Sequence, residues 1–275
     1  MNDLKIPGKA LKSFVLTKEF KRFKEFSESC TDFRYIGICY GDPGVGKSLG
    51  ASHYTQWHED ITNENAVDEM SSQVKEVINK CKGILVTAPV TNTPKIIKTD
   101  ILRRTLGYGL ALLKSNNEPD LYKRVIDARG LCPLVVIDEA DRLNINSLEE
   151  VRSLYDKYCF GLIMIGMPGI EKRFSRYPQL YSRIGFSHEF KRLSEDEMKF
   201  IFPKIWANLG IPYDAEEYSD QEALNIIIRI TGGNFRLIDR MFSQIIRILK
   251  INKLKAITKE VVEAARKCLI IGTQS

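Results

Sequence analysis

Eight consecutive residues, Gly41-Asp42-Pro43-Gly44-Val45-Gly46-Lys47-Ser48, fit the pattern G-x-x-x-x-G-K-[ST]. Glycines at these positions let backbone N–H groups turn inward around phosphate oxygens, and the start of the helix that follows adds its positive dipole end. Lys47 supplies a point charge to the β- and γ-phosphates, Ser48 is a magnesium ligand, and the run from Gly41 to Leu49 is the candidate ATP contact. A plain glycine-rich turn is the competing reading, and it is outweighed because a second half of the site is also present. That half is Val135-Val136-Ile137-Asp138-Glu139, a hydrophobic strand ending in two acids. An acid at the carboxyl end of a neighbouring parallel strand points into the same phosphate crevice. Asp138 is therefore expected to hold Mg2+, and Glu139 to orient or deprotonate the attacking water, since phosphoryl transfer is catalysed mainly by positioning and charge neutralisation.

Asp138-Glu139-Ala140-Asp141 also spells the second motif of DEAD-box RNA helicases. Those enzymes need two tandem nucleotide-type domains, whereas this chain carries one set of strands and no later arginine-rich helicase motif.

The elements that must position these residues alternate. A helix runs from Thr17 to about Cys30, and Tyr35 to Tyr40 is a short apolar strand that ends in the glycine-rich turn. A helix follows from Lys47. Gly83–Thr87 reads as a second strand, Ile96–Leu113 as a helix, Leu134–Ile137 as a third strand, Ser147–Tyr158 as a helix, Phe160–Ile165 as a fourth strand and Phe186–Phe190 as a fifth. Strands that are apolar throughout and separated by helices predict a parallel sheet covered on both faces. Beyond Lys191 only helical patterns remain, with Ser194/Glu197 and Ser219/Glu222 read as capping boxes and Thr258 as a further cap. The expected organisation is an N-terminal segment with the first helix (1–31), an α/β nucleotide-binding domain with a five-stranded parallel sheet (32–192) and a small four-helix lid domain (193–275).

Composition narrows the class. The 275 residues are 44% hydrophobic and 28% charged, enough for one substantial core and a small satellite, and no apolar stretch approaches the roughly 20 residues of a membrane span. No secretory h-region opens the chain, so a cytoplasmic protein with no membrane partner is expected. Six cysteines lie far apart without C-x-x-C pairs and read as reduced thiols, and the three histidines form no metal-binding pattern. A net charge of +6 favours an acidic partner such as nucleic acid.

With the glycine-rich loop, the Asp-Glu strand and the helical C-terminal region in place, residues 14–270 resemble the AAA+ ATPases. Within that group VVIDEADRL, LEEVRSLYDK, FGLIMIGMPGIEKRF, YPQLYSRI and TGGNFRLIDR are similar to transposition regulators of the TnsC, MuB, TniB and IstB type. The resemblance implies that Arg236 is the sensor-two arginine, reaching the γ-phosphate, and that Arg183, with Arg173 and Arg176 as alternatives, is an arginine finger offered to a neighbouring subunit of a ring or helical filament. An arginine fork suits this role because it neutralises spreading phosphate charge bidentately. Phe14 to Thr17 would lie against the adenine. The polar sensor-one residue is replaced within Gly166-Met167-Pro168-Gly169, which suggests slow hydrolysis. Lys95, Lys98, Arg103, Arg104, Lys114, Lys123 and Arg124 are the candidate contacts to double-stranded DNA, sequence-tolerant because they would grip phosphates. A transposase and a target-selection adaptor are the further partners implied. ExeA-like secretion ATPases and helicase loaders are the alternative relatives.

Overall fold

The structure, a computed structural model, describes residues 14–58, 72–115, 128–208, 210–211 and 213–269. Two compact units emerge, one made of residues 20–41 and 47–190, the other of the segments before Phe20, Asp42–Gly46 and Lys191 onward.

The larger unit is an α/β sandwich. Its strands are β1 (Ile36–Tyr40), β2 (Ile84–Thr87), β3 (Leu134–Asp138), β4 (Gly161–Gly166) and β5 (Ile184–Glu189), all parallel, in the order β2-β3-β4-β1-β5. The three central strands are apolar apart from Asp138 at the end of β3 because helices cover both faces, and every residue of β3 and β4 is buried. The edge strand β5 alternates between half-buried and exposed residues instead. Helices α1 (Lys18–Asp32), α2 (Lys47–Thr55), α3 (Ser72–Lys80), α4 (Pro94–Ser115), α5 (Ile145–Tyr158), α6 (Ile170–Phe174) and α7 (Pro178–Tyr181) complete the layer order. The residues of α1 from Phe20 onward pack so closely on β1 that a Cβ on Gly37 would lie 2.4 Å from the Cys30 Sγ, which explains a glycine inside a buried strand. In α4 the buried positions Ile97, Ile101, Thr105 and Tyr108 recur at helical spacing and face the core.

In the smaller unit, α8 (Glu195–Asn208), α9 (Tyr218–Thr231), α10 (Phe235–Asn252) and α11 (Lys259–Lys267) enclose a separate core around Trp206, Phe202 and Phe242. Ser194 and Glu197 form the expected capping box, the Glu197 N–H donating to Ser194 Oγ at 3.3 Å and the Ser194 N–H to Glu197 Oε2 at 3.1 Å. The second box is absent. Helix α9 begins earlier, at Tyr218, which puts Ser219 inside it, while Glu222 pairs with Lys259 at 2.9 Å and the Asp220 carboxylate accepts the Asp214 N–H. Thr258 holds the N-cap position of α11, yet its hydroxyl donates to Glu260 rather than accepting a backbone N–H.

A second correction concerns adjacency. The strand carrying Asp138 is not a direct neighbour of β1; β4 lies between them. Within the sheet the carboxyl end of β4, Gly166, therefore lies between the carboxyl ends of β1 and β3.

Four cysteines are buried and two, Cys159 and Cys268, are exposed; all six are free thiols. Burial pushes the Cys30 and Cys132 thiols up to about 12 and Cys81 to about 11, so none of these three is a nucleophile at neutral pH.

Candidate functional site

The glycine-rich segment leaves β1 and enters α2 with Gly44 at φ +82° and Gly46 at φ +110°, left-handed backbone that L side chains adopt only at a cost. Space is also closed to a side chain at Gly44, where a Cβ would lie 2.6 Å from Asn234 Oδ1. The Lys47 side chain is buried and its ammonium donates to the Gly41 carbonyl at 2.5 Å, so the charge is held within its own loop, where a phosphate would meet it. Ser48 and Leu49 begin α2 and are exposed.

Asn234 does two things that sequence reading did not anticipate. Its Oδ1 accepts the N–H groups of Arg236 and Leu237, capping α10, while its Nδ2 donates to the Pro43 carbonyl at 2.8 Å. The Arg236 N–H in turn donates to the Gly44 carbonyl at 3.2 Å. Arg236, exposed at the first turn of α10, is thereby tied to the loop through its own backbone. Asp42 is paired with Arg192 at 2.8 Å, another partner that sequence spacing could not suggest. Replacing Asn234 with alanine removes a cap and a part-buried bond together, and is expected to destabilise the protein by about 1–3 kcal/mol. Asn234→Asp keeps the capping oxygen and loses the donor to Pro43, so it should recover much of that loss in a denaturant titration; equal losses in both variants would count against the capping role.

At the other half of the site, Asp138 is buried at the end of β3 and its Oδ1 accepts the Glu139 N–H at 2.9 Å. Glu139 adopts left-handed backbone, φ 53°, turning the chain into a short 3-10 turn at Ala140–Arg142. Such a conformation costs of order 1–3 kcal/mol for a residue with a side chain, and it persists only where surrounding structure holds it. The holding groups are visible. The Glu139 carboxylate pairs with Arg142, whose guanidinium also donates to the Ala88 carbonyl at 3.0 Å. Buried Asn92 donates to the Arg142 carbonyl at 2.8 Å, and Asn144 donates back to Asn92.

Asp141 accounts for the unusual methionine. Both its carboxylate oxygens accept the Met167 N–H, at 3.1 and 3.0 Å, and a Cβ on Gly166 would strike it. The end of β4 is thus joined to the turn after β3 through backbone, and the Met167 side chain, 42% exposed, takes no part.

The three candidate finger arginines differ. Arg173 donates to the carbonyls of Asp141 and Leu143. Arg183 holds Asp156 bidentately at 2.7 and 3.0 Å. Arg176 is exposed and, among the described residues, forms no ion pair. Of the candidate DNA contacts, Lys98 pairs with Glu150 at 2.8 Å, and Arg103 and Arg104 both pair with Asp100. Lys95 is exposed and Lys114 half-buried, whereas Lys123 and Arg124 lie outside the described residues. Val15, from the segment assigned to the adenine, packs against the core of the helical unit.

Magnesium suits the donors present. A serine hydroxyl and a buried carboxylate with one oxygen free of the Glu139 N–H are hard oxygen ligands, to which phosphate oxygens and water complete the octahedral set this ion demands.

A parallel sheet in the order β2-β3-β4-β1-β5, with a phosphate-type loop after β1 and Asp-Glu after β3, defines an α/β P-loop ATPase fold of the AAA class. The chain belongs to the AAA domain family, whose model matches residues 31–174, a little over half of its length. It is 44% identical over 266 residues to a potential ATP-binding protein of Staphylococcus aureus, covering 94% of this chain and 97% of that one. A more distant match, 23% identical over 249 residues, is the Mu-like prophage FluMu DNA transposition protein B of Haemophilus influenzae, covering 84% of this chain and 76% of the relative. Solved structures with the same fold include the RuvB Holliday junction branch migration motor of Thermotoga maritima, with a TM-score of 0.58 at 15% identity over 97% of this chain and 74% of that one. Cdc6p of Pyrobaculum aerophilum gives 0.57 at 16% identity over 96% and 71%.

Proposed function

We propose that this chain is an ATP-dependent DNA-binding regulator of transposition, which assembles on duplex DNA in the ATP state, recruits or activates a transposase, and comes apart on hydrolysis. The observation that carries the reading is the match to a DNA transposition protein along most of both chains, joined to a complete set of phosphate-site residues. In this reading Gly41 to Leu49 cradle the nucleotide, Lys47 neutralises the β- and γ-phosphates, and Ser48 and Asp138 hold Mg2+, which supplies charge neutralisation at the phosphates. Glu139 orients and deprotonates water. Arg236 reaches the γ-phosphate in its own subunit, and one of Arg183, Arg176 or Arg173 does so from the next.

The finger assignment has a structural consequence. Arg183 must exchange Asp156 for a phosphate, whereas Arg176 has no ion pair to give up among the described residues. Loss of the γ-phosphate removes such contacts at every interface, and this couples hydrolysis to disassembly.

Co-sedimentation and negative-stain microscopy with random-sequence duplex DNA test the proposal. Rings or filaments on DNA are expected with a slowly hydrolysed ATP analogue and not with ADP, with affinity falling steeply as salt rises. No DNA association in either nucleotide state would overturn it.

A further inference from the structure

The charge on α4 is largely answered by Asp100 and Glu150, whereas the helical unit carries, among the described residues, a basic row that forms no ion pairs. Between Phe235 and Thr258 the sequence holds six cations, Arg236, Arg240, Arg247, Lys250, Lys253 and Lys255, against one acid, Asp239. Arg236 belongs to the loop contact described above. The other five are exposed, and among the described residues none forms an ion pair; Arg247 makes only a long bond of 3.4 Å to Gln244. At 100° per residue Arg240, Arg247 and Lys250 fall within about 80° of one another on α10, along about 15 Å of its axis. Lys253, the left-handed C-cap at φ 53°, and Lys255 carry the row into the turn before α11.

We propose that this row, Arg240, Arg247, Lys250, Lys253 and Lys255, is a contact track for the phosphates of duplex DNA, carried by the helical unit itself. The assignment rests on the DNA reading proposed above and adds a surface to it. A linear polyanion with a charge every ~1.7 Å of its axis matches a straight, uncompensated basic row, and the contacts carry no base code. An anionic lipid surface fits less well. A helix that lies in a membrane needs its apolar face free, and here Ile238, Met241, Phe242, Ile245, Ile246 and Leu249 are already buried in the core. Only Ile251 and Leu254 remain exposed beside the lysines, too few to anchor in a bilayer.

The test is fluorescence anisotropy with a labelled random-sequence duplex and the slowly hydrolysed ATP analogue over a range of salt, using the full chain. The variant Arg240→Gln/Arg247→Gln/Lys250→Gln/Lys253→Asn/Lys255→Gln is expected to bind about 100-fold more weakly at about 0.1 M salt, with a log–log salt slope shallower by up to about 4. Asparagine is chosen at 253 because it tolerates left-handed backbone. Basal ATP hydrolysis and the thermal midpoint should match the wild type. The double variant Lys253→Asn/Lys255→Gln, confined to the turn, guards against a folding defect and should flatten the slope by up to about 2. Wild-type affinity and slope in both variants would overturn this surface alone. Failure of the wild type to bind DNA would overturn the functional reading with it. Loss of binding to phosphatidylserine vesicles with DNA binding unchanged would reassign the row to lipid.

Discussion

Lys47→Ala is expected to lower ATP affinity by about 100-fold or more and to abolish turnover, as read by calorimetry and phosphate release. The ammonium is buried and already engaged by a backbone carbonyl of the loop it serves, at 2.5 Å from Gly41 O. Its desolvation is therefore complete before nucleotide arrives, and two or more charge-assisted bonds to phosphate, each worth about 1.5–3 kcal/mol, are made without further ordering of the side chain. A loss of about 2.7 kcal/mol is 100-fold in affinity. Alanine leaves the Gly41 carbonyl without this donor, a small cost, so the fold should survive. Lys47→Arg is a stringent companion. The planar guanidinium cannot take the place of a compact ammonium inside so tight a loop, and affinity should stay low despite the retained charge. ATP affinity within threefold of wild type in Lys47→Ala would sink the loop assignment.

How far the sequence went in revealing this site follows from the range of the forces involved. The glycine-rich loop and the acids after β3 were legible because each is a local solution: glycine for left-handed backbone, an unbroken apolar run for a strand buried on both faces, and acids where that strand ends. The β1–β5 order of elements was legible for the same reason. Bonds between distant segments were not. Asn234 meets Pro43 across 191 positions and Arg192 meets Asp42 across 150, and no periodicity encodes either. The Asp141 contact shows the same limit in another form. Sequence comparison looks for a polar side chain at Met167, while the structure uses the Met167 backbone N–H and places the polar group on Asp141, 26 residues away.

The misread capping box at Ser219 and Glu222 is instructive because the pattern is present in full. Asp214 and Asp220 compete with it, and the bond between the Asp214 N–H and the Asp220 carboxylate goes with an N-cap at Glu217 rather than Ser219. The interposition of β4 between β1 and β3 was equally illegible, since strand order is set by how crossovers pack rather than by any residue of the strands. Helix α3, SQVKEVINK, does carry Val74, Val77 and Ile78 at helical spacing, but three apolar residues in so short a run, with no capping residue pattern or Gly/Pro stop to bound it, do not mark a helix by themselves.

Glu139→Gln should bind ATP as the wild type does and turn it over about 100- to 10,000-fold more slowly, the range general-base catalysis typically supplies. Single-turnover phosphate release separates the two effects. In this structure the carboxylate is paired with Arg142, three residues on, a partner it must give up to serve a water. The side chains of the pair are 38% and 44% accessible, and an ion pair that open to solvent contributes at most about 1 kcal/mol. Releasing the carboxylate therefore costs little compared with the charge that the γ-phosphate and its magnesium bring to the site. Glutamine conserves the size of the side chain, leaving Asp138, the turn at Ala140–Arg142 and the Asp141 bond to Met167 in place. What it removes is the ability to accept a proton. Under the proposed function the ATP-state assembly on DNA should consequently outlive that of the wild type, so that filaments or rings persist with ordinary ATP where the wild type needs an analogue. If Glu139→Gln hydrolysed ATP at the wild-type rate, the water would have to be activated by another group, and the strained left-handed turn at Glu139 would need a different explanation.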